Sequence, residues 1–300
     1  MSQNLPLPIF VFSRGYDIDL GPHVFPAIKF GLLHYKLQQN KAFAQHQFVE
    51  PRPISVETAA LVHKRSYLRD LVALKPSAAL AKSELPLQKK VVDAFFLACG
   101  GTLTAAQQAL EHGMAFNLSG GFHHAFAERA EGFCYLNDIA IAAAWLRREK
   151  KANKILIIDL DVHQGNGTAK IFSWNRSVFT FSMHDEHNYP PKEKGSLDVG
   201  LDTGTGDDEY LRLLAENLIK IKKLFQPDLI FYLAGVDPFF DDQLGGLSIS
   251  KAGLGERDQM VKNFMPDIPL AITLAGGYAR RDEDTIDLHM QTCRIFAGIE

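Results

Sequence analysis

The run Ile155-Leu156-Ile157-Ile158-Asp159-Leu160-Asp161-Val162-His163-Gln164-Gly165-Asn166-Gly167 begins as a β-branched, leucine-rich strand, turns acidic at its end and breaks on glycine. Near-continuous apolar character marks a strand covered on both faces, as in parallel sheets. Carboxylates entering such a strand at Asp159 and Asp161 lose water, a cost that something positive has to offset, and a divalent metal fits that need. Asp161 and His163 are two residues apart, so on an extended segment both project to one side, as ligands from one strand end must. By itself the Asp-x-Asp-x-His pattern is equally consistent with aspartates that cap the strand-loop junction and a histidine in an ordinary loop.

Working outward, short apolar runs alternate with helical patterns along the whole chain, which predicts a three-layer α/β/α fold with a mostly parallel central sheet. Strands are expected over residues 8–13, 114–118, 155–160, 178–183, 229–235 and 270–275. Helices are expected over residues 56–74, 88–112, 136–149, 208–225, 251–264 and 285–296, the fourth with Thr205 or Asp207 as its N-cap. No linker or charge block divides the 300 residues, so one catalytic domain over residues 1–300 is expected. The first fifty residues give the weakest pattern.

A formal charge of -3 speaks against a broad nucleic-acid-binding surface. The start, Met1 to Leu7, lacks the basic and apolar segments of a signal peptide, and no apolar run reaches the ~20 residues of a membrane span. Cys99, Cys134 and Cys293 form no C-x-x-C pair. These features suit a reducing cytoplasm, or a nucleus in a eukaryote.

Ligands of open parallel sheets bind beyond the carboxyl ends of the strands. Beyond residue 118 stand Ser119-Gly120-Gly121-Phe122-His123-His124, beyond Gly235 stand Val236-Asp237-Pro238, and beyond Ala275 stand Gly276-Gly277-Tyr278. Each piece has a plain structural reading as a helix entry, a turn aspartate or a core-edge aromatic. Their coincidence argues for a site. Two aspartates and a histidine leave an open coordination position, as catalytic metal sites do.

The segments Asn117 to Ala125, Glu131 to Asp138, Asp159 to Gly167, Ala234 to Asp237 and Ala275 to Tyr278 together resemble the metal-dependent histone deacetylase-type amidohydrolases of the arginase-deacetylase fold. The resemblance runs from about His63 to the end of the chain and more weakly through the first sixty residues. Gly204 to Leu211 and Leu244 to Ser250 look most like the class IV branch and its bacterial relatives.

By position, the resemblance implies a catalytic zinc, or iron(II), on Asp161, His163 and Asp237. It implies His124 as general base, His123 as its partner and Tyr278 as oxyanion donor, with Asp159 behind His123 and Asn166 behind His124. Many relatives carry a second aspartate where Asn166 stands. An amide supports the imidazole's basicity less than a carboxylate would, leaving His124 neutral at rest. The resemblance further implies a structural potassium on Asp159, Asp161, His163, Ser182 and Met183, and a substrate tunnel formed by Gly132, Phe133, Tyr189, Leu244, Gly276 and Gly277. The family's substrate-clamping rim aspartate has no counterpart in residues 75–86.

The expected reaction is hydrolysis of acetyl or longer acyl groups from lysine side chains of peptides and proteins, or from related amines. An acetylpolyamine or other small-molecule amidohydrolase of the same family is the alternative. A two-metal ureohydrolase would need further bridging carboxylates near Asp237, where Pro238-Phe239-Phe240 stand instead, and a non-catalytic acyl-lysine binder would not need the histidine pair. Oligomeric state is open.

Overall fold

The structure is a computed structural model and describes residues 7–299. The reading of the amino-terminal start rests largely on Met1 to Pro6, outside that range. Eight strands form one sheet: β1 (Ile9–Val11), β2 (Phe48–Val49), β3 (Met114–Asn117), β4 (Ile155–Asp159), β5 (Val178–Asp185), β6 (Leu197–Leu201), β7 (Leu229–Leu233) and β8 (Leu270–Thr273). Their order is β2-β1-β3-β8-β7-β4-β5-β6 and every pairing is parallel.

The alternation along β4 explains its unbroken apolar character. Leu156 and Ile158 pack into the core on one face, while Ile155 and Ile157 pack into the core on the other. β7 repeats the division, with Ile230 and Tyr232 on the first face and Leu229, Phe231 and Leu233 on the second. Both faces of the central strands are therefore dry, and polar side chains are held off until the strands end.

From β4 the chain moves outward through β5 and β6, then returns to β7 on the other side of β4 and continues to β8. The β4–β7 boundary is thus a switch point, where the connections leave a crevice beyond the strand ends. Asp161, His163 and Asp237 all follow these two strands.

The six expected strands are present, each within a few residues of its expected bounds. β2 and β6 are additional: β2 has two residues, and β6 is an edge strand carrying Gly200, too short or too irregular to show a period. The expected helix over residues 56–74 is instead two, Val56–Ala59 and Arg65–Val72. Between them Lys64 N–H donates to Ala127 O, and His63 bonds Phe126 O through Nδ1 and accepts from Asn137 N–H through Nε2, so tertiary partners replace the helical ladder. The helix Asp207–Leu224 has neither expected N-cap: Gly206 takes that position. Asp207 instead accepts from Ser250 N–H and Oγ, and Thr205 Oγ1 donates to Asp202 O. The helix Lys29–Gln39 was not evident in the sequence, because its capping residue Ile28 makes no side-chain cap and its inward face includes a lysine.

One buried carboxylate shapes the loop after β3. Asp138 accepts from Phe122 N–H (2.7 Å), Gly121 N–H (3.0 Å) and Thr102 Oγ1 (2.5 Å), which fixes the turn that delivers His123 and His124. Asp138→Asn places an amide donor against donors, and loss of these bonds should lower stability by about 3 kcal/mol. Denaturant unfolding measures this; an unchanged midpoint would show that the loop is held elsewhere.

Candidate metal centre and active site

Beyond β4 and β7, one ligand atom from each of Asp161, His163 and Asp237 lies within 4.8 Å of the others. Their orientation follows from backbone donors. Gly276 N–H gives 2.8 Å to Asp161 Oδ2, His163 N–H gives 3.0 Å to Asp161 Oδ1, and Val162 N–H gives 2.9 Å to Asp237 Oδ1. Asp237 Oδ2 is buried and accepts no hydrogen bond. The Nε2 of His163 stands 3.2 Å from Leu244 O, which can only accept, so Nε2 carries a proton, and Nδ1 is the ring atom that faces Asp161 (3.1 Å) and Asp237 (3.3 Å).

The donor set suits a divalent cation. Burial, with Asp161 close by, pushes the Asp237 carboxyl up to about 7. His163, whose burial alone would lower it, is pushed up to about 10 by Asp161 and Asp237. Both shifts express one condition: two desolvated carboxylates side by side call for positive charge. Gly276 is required by the close approach, since a Cβ there would lie 2.0 Å from Asp237 Oδ2. Among the described residues this is the one such group of three.

The histidine pair lies alongside. His123 Nδ1 faces Asp159 Oδ2 at 2.8 Å, and His124 Nδ1 faces Asn166 Oδ1 at 3.0 Å. The two Nε2 atoms are 3.1 Å apart, so one proton must lie between them. Burial opposes a charge on His123, but Asp159 and Asp161 overcome it and push the imidazole up to about 9. His124 is driven well below its ordinary value by burial and by the charges on His123 and His163. The proton therefore belongs to His123, and His124 is neutral with Nε2 as acceptor.

Tyr278 is held by Asp242, whose Oδ2 accepts from Tyr278 N–H at 2.6 Å while Oδ1 accepts from Leu244 and Gly245 N–H. Burial raises its phenol well above the ordinary value, so it stays a donor. The sequence did not single out Asp242, nor Lys29, a buried ammonium donating to Ala275 O (3.0 Å) and Gly277 O (3.4 Å) and pushed down to about 8 by burial. Only the Asp-Asp pair at 241–242, ahead of Leu244-Gly245-Gly246, could have hinted at the former.

A cavity of about 230 Å³ opens over these groups, with Phe133, Tyr189, Leu244, Gly132 and Gly276 in its wall. Gly277, expected with them, is not: its φ of +156° turns it away, and a Cβ there would meet Val236, Thr285 and His289. Phe133 is held at φ +61° by its N–H bond to Ser83 O, a conformation costing about 1–2 kcal/mol that aims the ring into the cavity. Tyr189 is 41% exposed at the mouth, 5.4 Å from the His124 ring. Cys134, a further wall residue, has its thiol raised by burial and bonded to Gly132 O. Glu84 also reaches the mouth, within the segment where the sequence offered no rim acid. Its φ of +61° places it there, a turn that its residue type does not announce.

For the expected monovalent site, Ser182 on β5 is in register with Asp159 on β4. The Ser182 hydroxyl is 2.9 Å from His184 Nδ1, and the Met183 side chain packs in the core.

The histone deacetylase domain model matches residues 23–292. An uncharacterized protein of Picosynechococcus is 42% identical over 272 residues, covering 89% of this chain and 90% of the relative. Histone deacetylase 2 of Arabidopsis thaliana is 34% identical, covering 90% of this chain and 74% of its own length. The acetoin utilization protein AcuC of Bacillus subtilis is 32% identical, with the same coverages. A crystal structure of a histone deacetylase homologue complexed with SAHA superposes with a TM-score of 0.84 over 98% of this chain and 85% of that one, at 24% identity. The family match and these relatives show an amide hydrolase of the deacetylase type. The chain belongs to the histone deacetylase family.

Divalent metal should raise the melting temperature by relieving the repulsion between Asp161 and Asp237, with the shift growing as the ion is added. Asp237→Ala should abolish the shift. A metal-dependent shift of undiminished size in that variant would remove Asp237 from the ligand set.

Proposed function

We propose that the protein is a zinc-dependent hydrolase that removes acetyl or longer acyl groups from lysine side chains. The observation that carries this is the convergence of Asp161, His163, the His123–His124 dyad and Tyr278 on one cavity with aromatic walls, with Asp237 clustered behind Asp161 and His163. A bound zinc, or iron(II) given the oxygen-rich ligands, would polarise the acyl carbonyl and acidify a water there.

The chain's own groups supply the rest. His124, neutral and accepting at Nε2, takes the proton of the attacking water once that water replaces His123 as the donor to Nε2, and returns it to the departing amine nitrogen as the C–N bond breaks. His123, kept cationic by Asp159 and Asp161, donates toward the water and balances the charge that develops. The Tyr278 hydroxyl donates to the oxygen that was the carbonyl. Phe133 and Tyr189 offer apolar faces for the substrate's methylene stem, and Glu84 at the mouth offers an acceptor for a peptide N–H or a second cation. Ser182, Met183, Asp159, Asp161 and His163 are the groups for a structural potassium behind the site.

Glu84 also favours a second reading in which the substrate is an acylated polyamine, whose free ammonium would pair with it. Turnover across short and long acyl-lysine peptides and acetylated polyamines separates the two. Activity that survives complete removal of metal would end both readings. Tyr278→Phe should retain the metal and lose turnover by about 10²- to 10³-fold, the scale for removal of one oxyanion donor in other enzymes; wild-type turnover in that variant would exclude Tyr278 from the role.

A further inference from the structure

Asn166 does not end the line of hydrogen bonds behind His124. Its Nδ2 donates to Glu131 Oε1 at 2.8 Å, and the other Glu131 oxygen accepts from Arg129 Nε at 2.9 Å. Glu131 is 8% exposed and Asn166 is buried. Arg129 is fixed in turn by stacking 3.3 Å above the Phe126 ring. A surface ion pair would not be drawn in against the active site in this way, because burying a carboxylate is costly unless its acceptors are used. Both oxygens are used here, one by the arginine and one by the amide that touches the base.

We propose that Glu131 is a positioning residue for His124: a carboxylate that acts through the Asn166 amide, with its charge moderated by Arg129. The inference rests on His124 being the base. A carboxylate can only accept, so Asn166 must turn its NH2 to Glu131, which leaves Oδ1 for His124 Nδ1 and for Gly167 N–H at 2.9 Å. That orientation obliges His124 to carry its proton on Nδ1 and to present Nε2 to the cavity. The negative charge lost by having an amide behind the base is thus supplied one residue farther out. There it can favour the imidazolium as it forms without holding His124 protonated at rest. The other ionisable groups facing His124 are His123, Asp161 and His163 from the floor and Tyr189 and Cys134 from the walls. Behind Asn166 stand Glu131 and Arg129, with Lys82, Glu84, Lys192 and Glu193 lining the same outer cavity.

The sign of two substitutions tests this in the zinc-loaded protein. The His124 Nδ1–H proton resonance reports the strength of its hydrogen bond, and the acid limb of the kcat/KM profile reports the base. Glu131→Gln keeps the shape and removes the charge: the resonance should move upfield, the acid limb should fall by about half a pH unit and kcat should drop about tenfold with KM little changed. Arg129→Met frees the charge and should move the resonance and the acid limb the opposite way. In an Asn166→Ala background, Glu131→Gln should have no further effect on the acid limb. Shifts of the same sign in both variants, or lost activity with the resonance in place, would make Arg129–Glu131 a structural brace and overturn the proposal. If His124→Ala retained turnover, the base role would fail, yet the resonance would still report whether Glu131 couples to the ring.

Discussion

Two carboxylates, Asp161 and Asp237, are brought side by side and buried at the bottom of the cavity, and much of the surrounding structure exists to hold them there. Each is braced from another strand's end: the backbone after β4 donates to Asp237, and the backbone after β8, two strands away, donates to Asp161. The bracing atoms are amides, whose positions are set by the sheet and which cost little entropy to hold. One oxygen of Asp237 is left over. That residual acceptor, with His163 Nδ1 beside it, is what an incoming cation would find.

The same field organises the histidines. Asp159 and Asp161 make His123 a cation, and His123, with His163, then suppresses charge on His124. Two adjacent residues of one type are thus pushed in opposite directions by their surroundings. Tyr278 joins them through Asp242, an acid spent wholly on backbone N–H groups.

The sequence disclosed most where chemistry and pattern coincide. The β4 run, with both faces apolar and an acidic end, specified a buried parallel strand and the cluster-forming residues beyond it together, and glycine-flanked strand ends pointed to His123, His124, Asp237 and Tyr278, which lie around the same place. What it hid has physical reasons. The paired helices Val56–Ala59 and Arg65–Val72 read as one because the break is made by partners across the fold. Gly277 was grouped with Gly276, but a residue's direction depends on backbone angles that a Gly-Gly pair leaves open. Glu84 reaches the cavity through a positive φ that glutamate rarely adopts, and Lys29 lies inside a helix face where a lysine is not expected. Such residues depend on long-range placement and not on periodicity.

The cross-bracing of the site also bears on how the molecule forms. Val162 and Asp237 are 75 residues apart in sequence, and Asp161 and Gly276 are 115 apart. Pairing at such separations is closed late, since a long loop must be ordered before any contact compensates for it. A partly assembled chain would have β4 and its aspartates without the amides that aim them. The Asp161–His163–Asp237 cluster is therefore a property of the finished sheet, and it records in one place that three distant segments have found their register.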